Sequence, residues 1–167
     1  MIAQDITDYL ERHGVQYVRY PHQRAVDGQS LAAALRISGW QVAKSILVYV
    51  DERPYLFVLP TPEQVSLERA AEVVGGSHAR LANEDELAEV FPDYEVGAEP
   101  PFGSLHGVKV VMEERLLARP RMVVRAGSHG ESLELSTRDF FNLERPQISV
   151  FGIRADVAHA IAQELST

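Results

Sequence analysis

The sequence contains no cysteine. That excludes disulfide staples, thiolate metal sites and a cysteine nucleophile. It is also short of lysine. Of its 16 basic residues only Lys44 and Lys109 are lysines, and the other 14 are arginines. Acidic residues number 24, which leaves a formal net charge of −8. Such a balance argues against a protein that grips nucleic acid along its length, because phosphate neutralisation needs a basic face. Contact with the end of a nucleic acid remains compatible with it. No apolar run approaches the roughly 20 residues needed to span a bilayer. Met1 to Glu11 carries Asp5, Asp8 and Glu11 and no basic residue before Arg12, which does not read as a signal peptide. There is no H-E-x-x-H, no Walker or dinucleotide fingerprint and no G-x-S-x-G elbow. The expectation is a soluble, cytoplasmic protein with no metal, no cofactor and no membrane association.

What is present fits one folded domain over residues 1–167, with 46% hydrophobic and 24% charged residues. Ile2, Ile6 and Leu10 predict an amphipathic helix stopped by Gly14. Val15 to Tyr20 predicts a strand closed by Pro21. Asp27 is placed to cap a helix through Leu35, ended by Gly39. Val42 to Val50 is the clearest strand, and Tyr55 to Leu59 returns as its hairpin partner. Ser66 caps a helix through Val73. Asn83 to Glu86 is a capping box opening a helix through Val90, stopped by Pro92. Tyr94 to Gly107 reads as an irregular loop. Strands follow at Val108–Met112, Met122–Arg125 and Leu133–Leu135, with a turn at Gly127–Gly130. Ser136 opens a further helix. Ile148 to Phe151 predicts a last strand, and Val157, Ile161 and Leu165 mark a C-terminal helix. Irregular alternation with hairpins predicts an α/β (α+β) fold with a mixed, largely antiparallel sheet surrounded by helices.

Four places could carry chemistry. Lys44 lies on the strand face of Val42, Ile46, Val48 and Val50, the more apolar side. A lysine there needs water or an anionic partner, and a strand-end lysine that snorkels to solvent is the plain alternative. The loop Gly97-Ala98-Glu99-Pro100-Pro101-Phe102-Gly103 could hold backbone N–H groups rigidly around a carbonyl or water, or could be a surface turn. In Gly127-Ser128-His129-Gly130, His129 could serve as base or donor, or simply sit in a β-turn. Tyr20-Pro21-His22 could line a pocket or pack.

Together these pieces resemble the YbaK / prolyl-tRNA-synthetase-associated editing family. Tyr20-Pro21-His22 resembles its aromatic-x-His entry. Val42-Ala43-Lys44-Ser45-Ile46-Leu47 resembles its V-x-K-[ST]-L-[LV] strand. Gly97 to Gly103 resembles its G-x-x-x-P-F-G loop, and Gly127 to Gly130 followed by Leu133-Glu134-Leu135 resembles its late turn and strand. The resemblance spans Tyr20 to about Phe140. It implies a barrel-like sheet and a trans-acting deacylase that hydrolyses the ester of mischarged tRNA. The amino acid would be small, such as Ala, Cys or Ser, with tRNA for proline the expected carrier. Lys44, Gly97 and Pro101 would hold the catalytic positions. Tyr20, His22, Phe102, Gly103, Gly127, Ser128 and His129 would contact substrate. No metal, cofactor or protein nucleophile is implied, and the ribose hydroxyl of the tRNA would assist. Ser128-His129 stands where some relatives carry Lys-Arg, so basic contacts to the tRNA backbone are missing there. The expected partners are the tRNA acceptor end and a synthetase, with the chain itself a monomer. The alternative is a non-catalytic aminoacyl- or nucleotide-binding module that docks on a synthetase.

Overall fold

The computed structural model describes residues 2–166. Helix α1 (Gln4–Arg12) buries Ile6 and Leu10 at 0% exposure, as their i, i+4 spacing requires. Strand β1 (Tyr17–Pro21) follows. The Asp27 side chain accepts the Ser30 amide and opens α2 (Gly28–Leu35). This helix ends at Arg36, which adopts a left-handed conformation; Gly39 instead begins a 3-10 turn leading into the next strand.

Strands β2 (Ala43–Val50) and β3 (Arg53–Pro60) form the expected hairpin. Short-range signals also hold in α3 (Leu67–Val73), capped by Ser66, and in α4 (Glu84–Val90), where Asn83 and Glu86 make the reciprocal capping box. Three-residue strands β4 (Glu63–Val65) and β5 (Ala79–Leu81) flank α3. After the long loop come β6 (Lys109–Glu113), β7 (Arg121–Ser128) and β8 (Glu131–Ser136). Helix α5 (Thr137–Glu144), β9 (Gln147–Ser149), β10 (Gly152–Arg154) and α6 (Ala155–Leu165) complete the order.

The strands make three ladders. Five run in the order β5-β2-β3-β6-β9, three in the order β1-β8-β7, and β10 pairs with β4. The three-stranded sheet and the β5-β2-β3 part are antiparallel. β6 lies parallel to both β3 and β9. The long connection between β3 and β6, with α3 and α4 in it, brings the chain back in the same direction, which a tight hairpin cannot do. The sheet is thus mixed and does not close into a barrel. A single parallel bridge, Val42 to Val123, ties the two larger sheets together beside the start of β2.

β2 is buried on both faces. Ala43 and Leu47 belong to the main core with Phe102, Met112 and Phe140. Val48 and Val50 belong to a second core with Phe57, Leu59, Ala70 and Phe151. β2 is a central strand between β5 and β3, with a core packed on either side. Lys44 pairs with Leu59 in the ladder, at the end of the second core.

Candidate functional site

A cavity of about 430 Å³ opens where the start of β2, the N-terminal end of α2 and the first half of the long loop converge. β2 supplies Ala43 to Leu47. The segment before and into α2 supplies Val26 to Gln29, and the hairpin end supplies Thr61. Leu81, Ala82 and Leu87 close one side, and Val96, Gly97, Glu99 and Arg125 the other. Most of this wall is apolar. A few convergent polar groups in such a setting are what orient a ligand.

Lys44 is half-buried, and its ammonium donates to the Thr61 carbonyl at 3.1 Å. Burial pulls its pKa below the ordinary lysine value, and Glu63 partly opposes that shift. No carboxylate forms an ion pair with it among the described residues. Its positive charge is held by a neutral carbonyl, so it remains available to an oxyanion or phosphate of a ligand. Thr61 is fixed in turn by Gly28. A Cβ on Gly28 would sit 2.3 Å from Thr61 Oγ1, so only a glycine lets α2 approach this closely.

The long loop divides its residues between two tasks. Gly97 has φ +88°, and its amide donates to both Glu99 carboxylate oxygens, at 2.9 and 3.1 Å. Glu99 is 5% exposed. Burial raises its pKa, against the opposing bonds from the Gly97 and Glu99 amides and the charges of His129 and Arg125. The loop is tied to β7 by two bonds: Gly127 N–H to Ala98 O at 2.9 Å and Glu95 N–H to Gly127 O at 3.0 Å. Its second half leaves the cavity. Phe102 is fully buried, with its ring beside those of Tyr9 and Phe140. A Cβ on Gly103 would lie 2.4 Å from the Val108 carbonyl oxygen. Among the expected catalytic positions, Lys44 and Gly97 therefore line the cavity and Pro101 does not; Phe102 and Gly103 belong to the core side.

The other expected contacts lie outside the cavity wall. The Tyr20 hydroxyl donates to Glu134 at 3.1 Å, and His22 Nε2 lies 2.9 Å from Ser132 Oγ, both across the β1–β8 ladder. Gly127 and Ser128 end β7. His129 stands immediately behind the wall. It is 2% exposed, its Nε2 is 2.9 Å from the Val96 carbonyl, and a Cβ on Gly97 would be 3.4 Å from its Cε1. His129 thus supports the cavity-lining loop from behind.

Two wall residues escape a motif-based reading. Glu99 lies inside the recognised loop but has no fixed place in its pattern. Arg125 sits on β7 between Val124 and Ala126, is 5% exposed, and donates from Nη2 to the Asp27 carbonyl at 3.0 Å. Its Nη1 has no hydrogen-bond partner. A charged residue inside an apolar strand is the same signal that marked Lys44. Buried side-chain atoms without partners concentrate here: Arg125 Nη1 and Thr61 Oγ1 belong to the wall, and His129 Nδ1 lies behind it. Such atoms call for an explanation, and a ligand site is one. Among the described residues no group of three or more His, Asp or Glu could hold a metal ion, and no helix is long and apolar enough to cross a membrane.

Comparison with known proteins gives the family and the fold. The family profile of the aminoacyl-tRNA editing domain matches residues 22–143. A proline--tRNA ligase of Streptococcus mutans is 27% identical over 124 residues, covering 74% of this chain and 20% of that longer protein. The chain therefore spans about a fifth of the length of that relative. The solved structure of the hypothetical protein APE2540 superposes with a TM-score of 0.83 at 20% identity, covering 90% of this chain and 100% of the other. A candidate trans-editing enzyme for prolyl tRNA synthetase superposes with a TM-score of 0.75 at 23% identity, covering 89% and 94%. At these identities the two structures share the fold with this chain.

Proposed function

This chain belongs to the aminoacyl-tRNA editing domain family, and we propose that it is a trans-acting deacylase that hydrolyses the ester joining a small wrong amino acid to the end of tRNA. The tRNA for proline is the proposed carrier, in keeping with the likeness to a proline--tRNA ligase. The observation that carries the reading is the convergence of Lys44, Gly97 and Glu99 on one apolar-walled cavity.

The chemistry asked of the protein is modest. An aminoacyl ester is activated, so holding it beside a water in fixed geometry supplies much of the rate. Lys44 offers a cation anchored only to a carbonyl. It binds a terminal phosphate or ribose oxygen and fixes the acceptor end. The loop at Gly97 sets the position of the ester, and Glu99 holds that loop by the Gly97 amide. Apolar groups from Val42 to Leu87 surround the amino acid. The ribose hydroxyl beside the ester assists by donating to the ribose oxygen that leaves as water adds to the carbonyl carbon. A net charge of −8 confines the contact to the acceptor end and leaves room for a synthetase to hold the rest of the tRNA.

One observation favours a second reading. The Gly97 amide is already engaged by Glu99 and the Ala98 amide by the Glu95 carbonyl, so neither is free to hold an oxyanion. A binding module that docks on a synthetase needs no such donors. The two readings separate when tRNA charged with Ala, Cys, Ser, Thr or Pro is incubated with the protein, with and without synthetase. Release of amino acid supports hydrolysis. Binding without release from any of them supports the module.

A further inference from the structure

The cavity holds a second cation, deeper than Lys44. Arg125 is 5% exposed, whereas Lys44 is half-buried. Its guanidinium has one bond to the Asp27 carbonyl and no ion-pair partner among the described residues. Nη1 makes no bond at all. A guanidinium carries five N–H donors and stays charged, so this arrangement leaves most of its donors unmatched. Burial disfavours its charge, and Asp27 and Glu99 oppose that from nearby without forming an ion pair with it. The Asp27 carboxylate turns to the Ser30 amide at 2.7 Å, and Glu99 is committed to the Gly97 amide. The cavity wall does carry acceptor side chains, Asp27 and Glu99 among them, but none accepts a hydrogen bond from Arg125 among the described residues. A buried donor without an acceptor is costly, and a ligand that brings an acceptor removes that cost.

We propose that Arg125 is a specificity-determining residue, selecting an aminoacyl group whose side chain carries an oxygen acceptor over an aliphatic one of equal size. The inference rests on the deacylase reading. It assigns the amino-acid side chain to the deeper cation and the phosphate or ribose oxygen to the shallower Lys44. That division follows from solvation: a phosphate keeps part of its water at a half-exposed ammonium, while a hydroxyl or carboxylate that reaches the buried guanidinium must be met by a protein donor. The apolar walls recognise the methylenes, which discriminate only weakly, so the guanidinium carries the choice.

The test uses one tRNA charged in turn with serine and with 2-aminobutyrate, which replaces the hydroxyl by a methyl at nearly constant size. Alanyl and aspartyl forms of the same tRNA complete the set. The wild-type protein is expected to favour the seryl over the 2-aminobutyryl form by about 10- to 100-fold in kcat/KM. Arg125→Met is expected to bring the ratio of seryl to 2-aminobutyryl hydrolysis close to one. A wild-type ratio near one overturns the inference, and this measurement needs no variant to fold. An equal loss on every substrate in Arg125→Met, with an intact far-UV spectrum, also overturns it, since that is the behaviour of a phosphate contact. If the wild type hydrolyses none of a wider panel, the deacylase reading fails and takes the inference with it. Hydrolysis with an unchanged ratio leaves that reading standing and removes Arg125 alone.

Discussion

The amide of Gly97 donates to both oxygens of the Glu99 carboxylate, at 2.9 and 3.1 Å. The bond folds the loop back on itself at a left-handed residue. It places a buried acid in the wall of the same cavity that receives Lys44. Its consequence is measurable through the titration of Glu99.

Burial raises the Glu99 pKa above its ordinary value of 4.5. The folded state therefore holds the proton more tightly than the unfolded state. The stabilisation from the neutral acid is full below the ordinary value and is lost as pH rises through the raised one. Glu99→Gln, which cannot ionise, escapes that loss. Its stability relative to wild type is expected to increase as pH rises above the ordinary carboxylate range, followed by urea unfolding at each pH. A difference that stays constant with pH would contradict the assignment.

Gly28 has no room for a side chain. A Cβ would lie 2.3 Å from Thr61 Oγ1, 2.6 Å from its Cγ2 and 3.0 Å from its Cβ, so rotation of the threonine gives no relief. Gly28→Ala is expected to cost about 1–3 kcal/mol in urea unfolding. It should also lower deacylation, because the Thr61 carbonyl it displaces is the one that holds Lys44. Full stability with full activity would show that α2 can retreat freely.

Phe102 separates core from site within one motif. Fully buried beside Tyr9 and Phe140, it should lose about 3–5 kcal/mol as Phe102→Ala in denaturant unfolding. At a temperature where the variant is still folded, KM should stay near the wild-type value. A selective rise in KM without loss of stability would instead place Phe102 against the substrate.

The sequence revealed what short-range chemistry encodes. The caps at Asp27, Ser66, Asn83 and Ser136 each bond an amide three residues away, and each was readable from the chain. Lys44 was also readable, as a charge in an apolar strand. Strands β4, β5 and β10 were not. They have three residues each and exist through distant pairing, such as Gly152 with Val65 and Val50 with Ala79. The end of α2 was placed at Gly39 by expectation, but Arg36 stops it sooner by adopting a left-handed turn. The cavity was legible in part. Lys44 and Gly97 carry its motif, whereas Arg125 shows only as a charge within the apolar run of β7 and belongs to no motif. Pro101 and Gly103 share a motif with Gly97 yet do not line the cavity, because the loop crosses from the cavity into the core within a few residues.

Lys44 carries the central claim, and its burial makes a double prediction. The charged form is disfavoured by burial, so Lys44→Met should leave the melting temperature no lower than that of the wild type. The decisive measurement is the single-turnover rate of amino-acid release from mischarged proline tRNA by wild type and by Lys44→Met, with the melting temperature recorded on the same samples. The expected result is a rate lowered by about 100-fold or more in a variant at least as stable as wild type. Release at the wild-type rate by a folded Lys44→Met protein would contradict the assignment of this cavity as the editing site.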